Sequence, residues 1–403
     1  MNKITEKQAV MRMTMLFAVL YMISYITRIN YGAVISEMVS AEGIQKSAAS
    51  LALTINAITY GSGQLISGFL GDRTEPKKLI FSGLAVTSAM NILIPLCQSP
   101  YQMMLVWGIN GVAQAFMWPP LVRIMSSVFN DVDYQNACMR VSIGGSVGNI
   151  LVYAISPICI YFFGWRGIFF VSAACAVIMA AVWAKFCPSV GNSGKAATAA
   201  SENSEKKAKM SGMFFAFIAI IMFTIALQGA LRDGVTTWTP SYISETFRLD
   251  SKIAILTGVV MPIFSIIIIR VVSSIYRRIN NELLLAGLFF VVGAAAAFTL
   301  AFANKSAGLS VFLAALLIGC MHGVNWVQTC MVPIHFKKYG KVSFISGLLN
   351  SSTYIGSSVS AYGIAAFSEH FGWHNTVLLW GAIALLGFLI CVGLHNKWQK
   401  FTA

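Results

Sequence analysis

Charge is what this sequence has least of. Only 10% of its 403 residues are Asp, Glu, Lys or Arg, where a soluble chain carries about 25%. Acids are the scarcer kind, 14 against 28 Lys and Arg. So few charges cannot cover a water-facing surface, and 57% of the chain is hydrophobic. The five histidines, His322, His335, His370, His374 and His395, show no metal-ligand spacing. The eight cysteines contain no CxxC pair and lie mostly in apolar runs, so they read as small packing residues rather than disulfides or ligands. The phosphate-cradling pattern GxxxxGK[ST] and the zinc pattern HExxH are both missing. No polar stretch is long enough to house a soluble catalytic domain. The chain is therefore expected not to be an enzyme, and no cofactor or metal is expected. The first apolar run has no small-residue cleavage site after it, which argues against a removed signal peptide.

What the chain does have is apolar runs of membrane-crossing length. About twelve are expected, near 13–34, 48–71, 78–97, 101–126, 138–163 and 167–187, then near 211–235, 252–274, 282–303, 308–334, 343–367 and 373–395. The fold class is thus an all-α polytopic membrane protein of two six-helix bundles, 1–187 and 211–403. Residues 188–210 are rich in Ser, Ala, Asn, Gly and Lys without apolar periodicity and read as a flexible linker.

The net charge of +14 suggests nucleic acid in a soluble protein. Here the basic residues sit in short links between spans, so they read as topology, and nucleic acid is not an expected partner. Arg73, Lys77 and Lys78, Lys206, Lys207 and Lys209, Arg277 and Arg278, Lys337, Lys338 and Lys341, and Lys397 and Lys400 all fall on one side. The positive-inside rule then places both termini in the cytoplasm and the chain in the plasma (inner) membrane.

The two halves repeat. Trp118 and Trp326 lie 208 residues apart, as do Gly148 and Gly356, and Gly164-Trp165 and Gly372-Trp373. Arg28 and Arg232, and Arg73 and Arg277, lie 204 apart, which fits a short insertion near residues 304–307. Ordered landmarks with one insertion mean a duplication of six spans, an architecture that puts a site at the interface of the repeats.

Two arginines stand where charge is costly. Arg28 lies within the first span, on one helical face with Tyr21 and Tyr25. Arg232, followed by Asp233, ends a long apolar run. Ionisable groups at that depth are kept where they face a polar interior. The guanidinium fork matches the two-oxygen edge of a phosphate or carboxylate, so the pair reads as an anion site. Gln64, His322, Asn325, Trp118 and Trp326 are the other polar or aromatic span residues read as candidate lining, with simple packing as the alternative. Asp233 is either a local partner of an arginine or a proton carrier.

Residues 68–78, GFLGDRTEPKK, resemble the loop between the second and third spans of the major facilitator superfamily. Gly68 suits close helix approach, and Asp72 can cap the next helix or pair with a basic partner. Arg73, Lys77 and Lys78 complete this conformational motif. Residues 232–245, RDGVTTWTPSYISE, are similar to the seventh-span motif of the organophosphate:phosphate antiporters. Tyr21, Tyr25 and Arg28 match that family's first-span pattern. Trp118, Pro119, Pro120 and Arg123 match its fourth-span pattern. The resemblance implies a secondary active transporter working by alternating access as a monomer. Arg28 and Arg232 would hold the phosphoryl group of a phosphorylated sugar or glycerol-phosphate-type anion, with inorganic phosphate as counter-substrate. The chain departs from glycerol-3-phosphate-type members at Gln64, where they carry lysine, at Gly144, where they carry histidine, and at Ile29. Those departures leave open a proton-coupled symporter of a sugar acid or other carboxylate. A membrane sensor of a phosphorylated ligand is the third reading.

Overall fold

The structure, a computed structural model, describes residues 6–190, 212–248, 260–302 and 306–402. Of the expected linker, residues 191–210 lie outside the described residues, as do 252–259 of the eighth span and residues 304 and 305 of the insertion near 304–307. The described residues contain no strand and divide into two compact units. The first is Met1–Lys207 with Phe336–Ser351, the second Ala208–His335 with Ser352–Ala403.

The helices of the first half are α1 (Lys7–Glu42), α2 (Lys46–Arg73), α3 (Pro76–Leu93), α4 (Pro100–Ala115), α5 (Trp118–Val128), α6 (Asp131–Phe163) and α7 (Gly167–Phe186). Their ends follow local chemistry. Gly43 closes α1 at φ 64°, a left-handed position that glycine takes without a Cβ penalty. Proline opens both α3 and α4, where its missing N–H has no helical partner to lose. The Asn130 side chain caps α6 by accepting from the Asp133 N–H at 2.8 Å. The expected span 101–126 is broken between α4 and α5, because Pro119 and Pro120 cannot donate and force the helix to restart.

The second half holds α8 (Gly212–Phe247), α9 (Val260–Ile279), α10 (Glu282–Phe302), α11 (Ala307–Trp326) and α12 (Val342–Thr402). A wide turn at Val327–Met331 and a tight one at Val332–Tyr339 follow α11. Gly372, at φ 75° and ψ 168°, splits α12 into the last two spans.

Among the described residues, nine helices are long and apolar enough to cross a membrane. The expected spans outside that set are α2, the broken α4–α5 pair and the first part of α12. They carry polar side chains that bond inside the protein. On α2, Asn56 donates to the Trp107 carbonyl at 2.8 Å and Thr59 to the Gly108 carbonyl at 2.8 Å. Such pairing is what permits polar residues at membrane depth.

Each unit uses glycine to bring two backbones together. In the first, Gly144 and Gly148 on α6 face the Ala18 and Met22 carbonyls of α1, where any Cβ would overlap. In the second, Gly356 on α12 faces the Ala226 carbonyl of α8, and Gly229 on α8 faces the Thr353 carbonyl. The duplicated Gly-Trp turns are also alike. Trp165 donates its indole N–H to Glu42 at 3.0 Å, and Trp373 donates to Glu245 at 2.6 Å. In the first unit Arg166 adds an ion pair to Glu42 at 2.8 Å. At the equivalent place in the second stands His374, its ring against Phe302. A buried amide and hydroxyl network ties α1, α3, α4 and α7 of the first unit. Asn30 bonds Asn91 at 2.7 Å and Ser172 at 3.0 Å, and Gln114 bonds Thr27 at 2.7 Å.

Candidate functional site

In the first unit α1 sets Arg28, Tyr25 and Tyr21 along one face. The Arg28 guanidinium lies 4.6 Å from the Tyr25 ring centre and 4.4 Å from that of Tyr60 on α2. Cation–π attraction of this kind holds the guanidinium against the two rings. Tyr21 packs edge-on against Tyr25, with centroids 5.2 Å apart, and lies tilted against Trp118 of α5 at 4.9 Å. Gly145 on α6 makes room, since a Cβ there would sit 2.9 Å from the Tyr25 ring. The buried Trp118 indole N–H has no hydrogen-bond partner among the described residues. Four of the sequence candidates, Tyr21, Tyr25, Arg28 and Trp118, therefore meet. Tyr60 joins them and was not foreseen. Its one signal is that it stands a helical turn before Gln64. Gln64 itself is fully buried and accepts from Asn350 at 3.3 Å in the same unit, so it reads structurally as a helix bridge.

In the second unit the Arg232 guanidinium grips its neighbour. Nε donates to Asp233 Oδ1 at 2.6 Å and an Nη to Oδ2 at 2.8 Å. Oδ2 also accepts from the Ser357 hydroxyl of α12. His322 of α11 lies within electrostatic reach of both Arg232 and Asp233. Ser357 was missed, because nothing local in a serine-rich helix singles it out. Asn325 is half-buried, and its side-chain oxygen has no partner among the described residues. Trp326 is placed differently from its repeat mate. It is 1% exposed and packs edge-on against Tyr276 of α9, with centroids 6.1 Å apart.

The 68–78 motif is tied to the Phe336–Ser351 segment of its own unit. A Cβ on Gly68 would lie 2.8 Å from the Ser343 carbonyl. Asp72 does cap a helix, but not the next one. Its two oxygens accept the N–H groups of Ser343 at 3.0 Å and Phe344 at 2.8 Å, in the first turn of α12. The next helix, α3, has Glu75 at its cap position and no side-chain cap. Arg123 of α5, buried, donates to the Gly71 carbonyl and to the Thr74 carbonyl at 3.2 Å, fixing the turn from beneath. Arg73 covers the Phe69 ring at 3.7 Å, Lys77 offers its carbonyl to the Trp183 indole at 3.0 Å, and Lys78 pairs with Glu75 at 3.1 Å. The Ser189 hydroxyl and Lys78 hold the Glu75 carboxyl below the usual carboxylate range. No group of three or more His, Cys, Asp and Glu suited to a metal occurs among the described residues.

Comparison with known proteins adds three kinds of relative. The chain is 27% identical over 159 residues to the probable hexose phosphate transport protein of Chlamydia muridarum, covering 40% of this chain and 35% of that one. It is 28% identical over 160 residues to the glycerol-3-phosphate transporter of Bacillus subtilis, covering 38% and 36%. It is 22% identical over 246 residues to the membrane sensor protein UhpC of Escherichia coli, covering 57% and 56%. The matched stretches thus span about a third to just over half of these relatives' lengths. In fold, the proton:xylose symporter XylE superposes with a TM-score of 0.77 at 11% identity, covering 99% of this chain and 97% of that one. Residues 17–361 match the Major Facilitator Superfamily. That match takes in α2 to α11 whole, with most of α1 and the first part of α12, so the chain belongs to the Major Facilitator Superfamily.

Proposed function

We propose that this protein is a secondary active transporter of an organic anion, with a phosphorylated sugar or glycerol-phosphate-type compound as the first substrate class. Arg28 and Arg232 each supply a guanidinium to the anion. Tyr21, Tyr25, Tyr60 and Trp118 shape the apolar wall for the rest of the molecule. The observation that carries the reading is the state of Arg232. Its fork is already closed on a two-oxygen anionic edge, that of Asp233, which is the geometry a phosphoryl or carboxylate group would present. Similarity to a hexose phosphate transport protein and a glycerol-3-phosphate transporter supports a phosphoryl anion. The halves 1–187 and 211–403, joined by 188–210, would be the bodies that move in alternating access. The 68–78 motif, whose Asp72 caps the start of α12, would be the conformational motif of that cycle. The protein would lie in the plasma membrane with both termini in the cytoplasm and act as a monomer.

The test is a ligand-stabilisation screen of purified protein against glucose 6-phosphate, glycerol 3-phosphate, inorganic phosphate and gluconate, followed by counterflow in proteoliposomes. Stabilisation by a phosphorylated compound with uptake of labelled substrate supports the reading. Stabilisation by gluconate alone moves the substrate to the carboxylates, a class favoured by Gln64, Gly144 and Ile29 standing where cationic groups are expected. Similarity to UhpC over more than half the chain supports a second reading, a sensor of a phosphorylated ligand. Binding without counterflow would select it.

A further inference from the structure

We infer that Asp233 is a built-in competitor for the anion. It occupies the Arg232 fork, and the incoming anion displaces it onto Ser357. The inference rests on the reading of Arg232 as an anion-binding residue.

Adjacent residues on a helix do not face each other. An Arg–Asp pair at consecutive positions is therefore no ordinary helix-stabilising contact. The long Arg232 side chain bends round so that two of its nitrogens meet both carboxylate oxygens, at 2.6 and 2.8 Å. That arrangement uses up one whole donor edge of the guanidinium, an edge that a bound phosphoryl or carboxylate group would need. The pair is reachable. The Asp233 side chain is 36% exposed and that of Arg232 12%.

A receiving position already exists. The Ser357 hydroxyl donates to Asp233 Oδ2, and the Gly229 and Thr353 carbonyls also lie within its reach at 3.3 and 3.0 Å. One hydroxyl proton serving three acceptors can follow the carboxylate as it swings. Once the anion takes Arg232, Asp233 keeps Ser357 and is not stranded. His322 lies within electrostatic reach of both partners. The consequence is selectivity. An anion gains Arg232 only if it outbids a carboxylate held at short range, so weak or single-oxygen anions are rejected. Binding is also kept loose enough for release. Asp233 is in this sense a specificity-determining residue.

The experiment measures the affinity of purified full-length protein for glucose 6-phosphate, glycerol 3-phosphate, inorganic phosphate and gluconate. Asp233→Asn should tighten the probe that the unmodified protein binds by about two- to fivefold, the size expected for a partly exposed ion pair. It should also narrow the gap between strong and weak probes. Ser357→Ala should weaken binding by about threefold while Asp233 is present and leave it unchanged in the Asp233→Asn background, a coupling that a double-mutant cycle reads directly. A general through-space charge effect would make Ser357→Ala equally damaging in both backgrounds, and that result overturns the inference. So does an Asp233→Asn variant that binds no tighter than the unmodified protein. If that variant fails to fold, Asp233→Ser takes its place in the same cycle. An unmodified protein that binds none of the four probes sinks the anion-site reading, and this inference with it. Normal binding with no gain on removing Asp233 sinks the inference alone.

Discussion

Replacing Asp72 by asparagine isolates one helix cap. Asp72 is 9% exposed, and each of its oxygens accepts one backbone N–H from the first turn of α12. Asparagine keeps one acceptor and turns the other into an NH2 that faces an N–H. One buried donor is then left unpaired, at a cost of about 1–3 kcal/mol. Loss of the negative charge at the helix N-terminus adds about 0.3–1 kcal/mol. Relief from holding a carboxylate out of water works the other way. The net expectation is that the Phe336–Ser351 segment is held to α2 about 1–3 kcal/mol less tightly, and that Asp72→Ala, which strands both donors, costs more. The readouts are thermal unfolding of the detergent-solubilised protein and the alkylation rate of a cysteine placed at Ser343, which is fully buried. Both variants should melt earlier and label faster, alanine ahead of asparagine. Labelling at the unmodified rate in Asp72→Ala would refute the cap argument.

Gly356→Ala and Gly148→Ala should each lower stability by about 1–3 kcal/mol or more, because the added Cβ lands on a backbone carbonyl that cannot step aside. Gly363→Ala, with nothing within 4 Å and no left-handed backbone, is the matched control and should melt no earlier than the unmodified protein. Glu282 at the start of α10 is 1% exposed and accepts from Tyr276 at 2.5 Å, Trp398 at 2.7 Å and the His335 ring at 2.7 Å. Glu282→Gln puts an NH2 among those donors and should cost about 1–3 kcal/mol in thermal unfolding, with an unchanged melting curve counting against the network.

Much of this fold is written in local pattern. The first-span face of Tyr21, Tyr25 and Arg28 follows from helical spacing alone, and the structure gathers those side chains into one cluster. The duplication also reads through, since Gly148 and Gly356 perform the same close approach and both Gly-Trp turns hold a carboxylate on the indole. Symmetry of position did not guarantee symmetry of contact. Ile225 stands in the second half where Tyr21 stands in the first, 204 residues on. Among the described residues Trp326 has no aromatic partner on α8 of the kind Trp118 finds on α1, and it packs on Tyr276. The rest was hidden because it depends on distant pairing. Asp72 meets N–H groups 271 and 272 residues away, Asp233 meets Ser357 across 124, and Tyr60 reaches Arg28 from another helix. A cap signal in sequence names the acceptor, not the helix that will use it.

The most direct test of the central claim is anion affinity and counterflow in Arg28→Lys and Arg232→Lys, measured beside folded yield on the same purified samples. Lysine keeps the charge but offers a point donor on a flexible stem in place of the fork. Each lost charge-assisted bond is worth about 1.5–3 kcal/mol, so affinity should fall by about one to two powers of ten per site while folded yield holds. Lysine variants that fold poorly yet bind and exchange the anion normally once folded would contradict the account, making the two arginines structural cations.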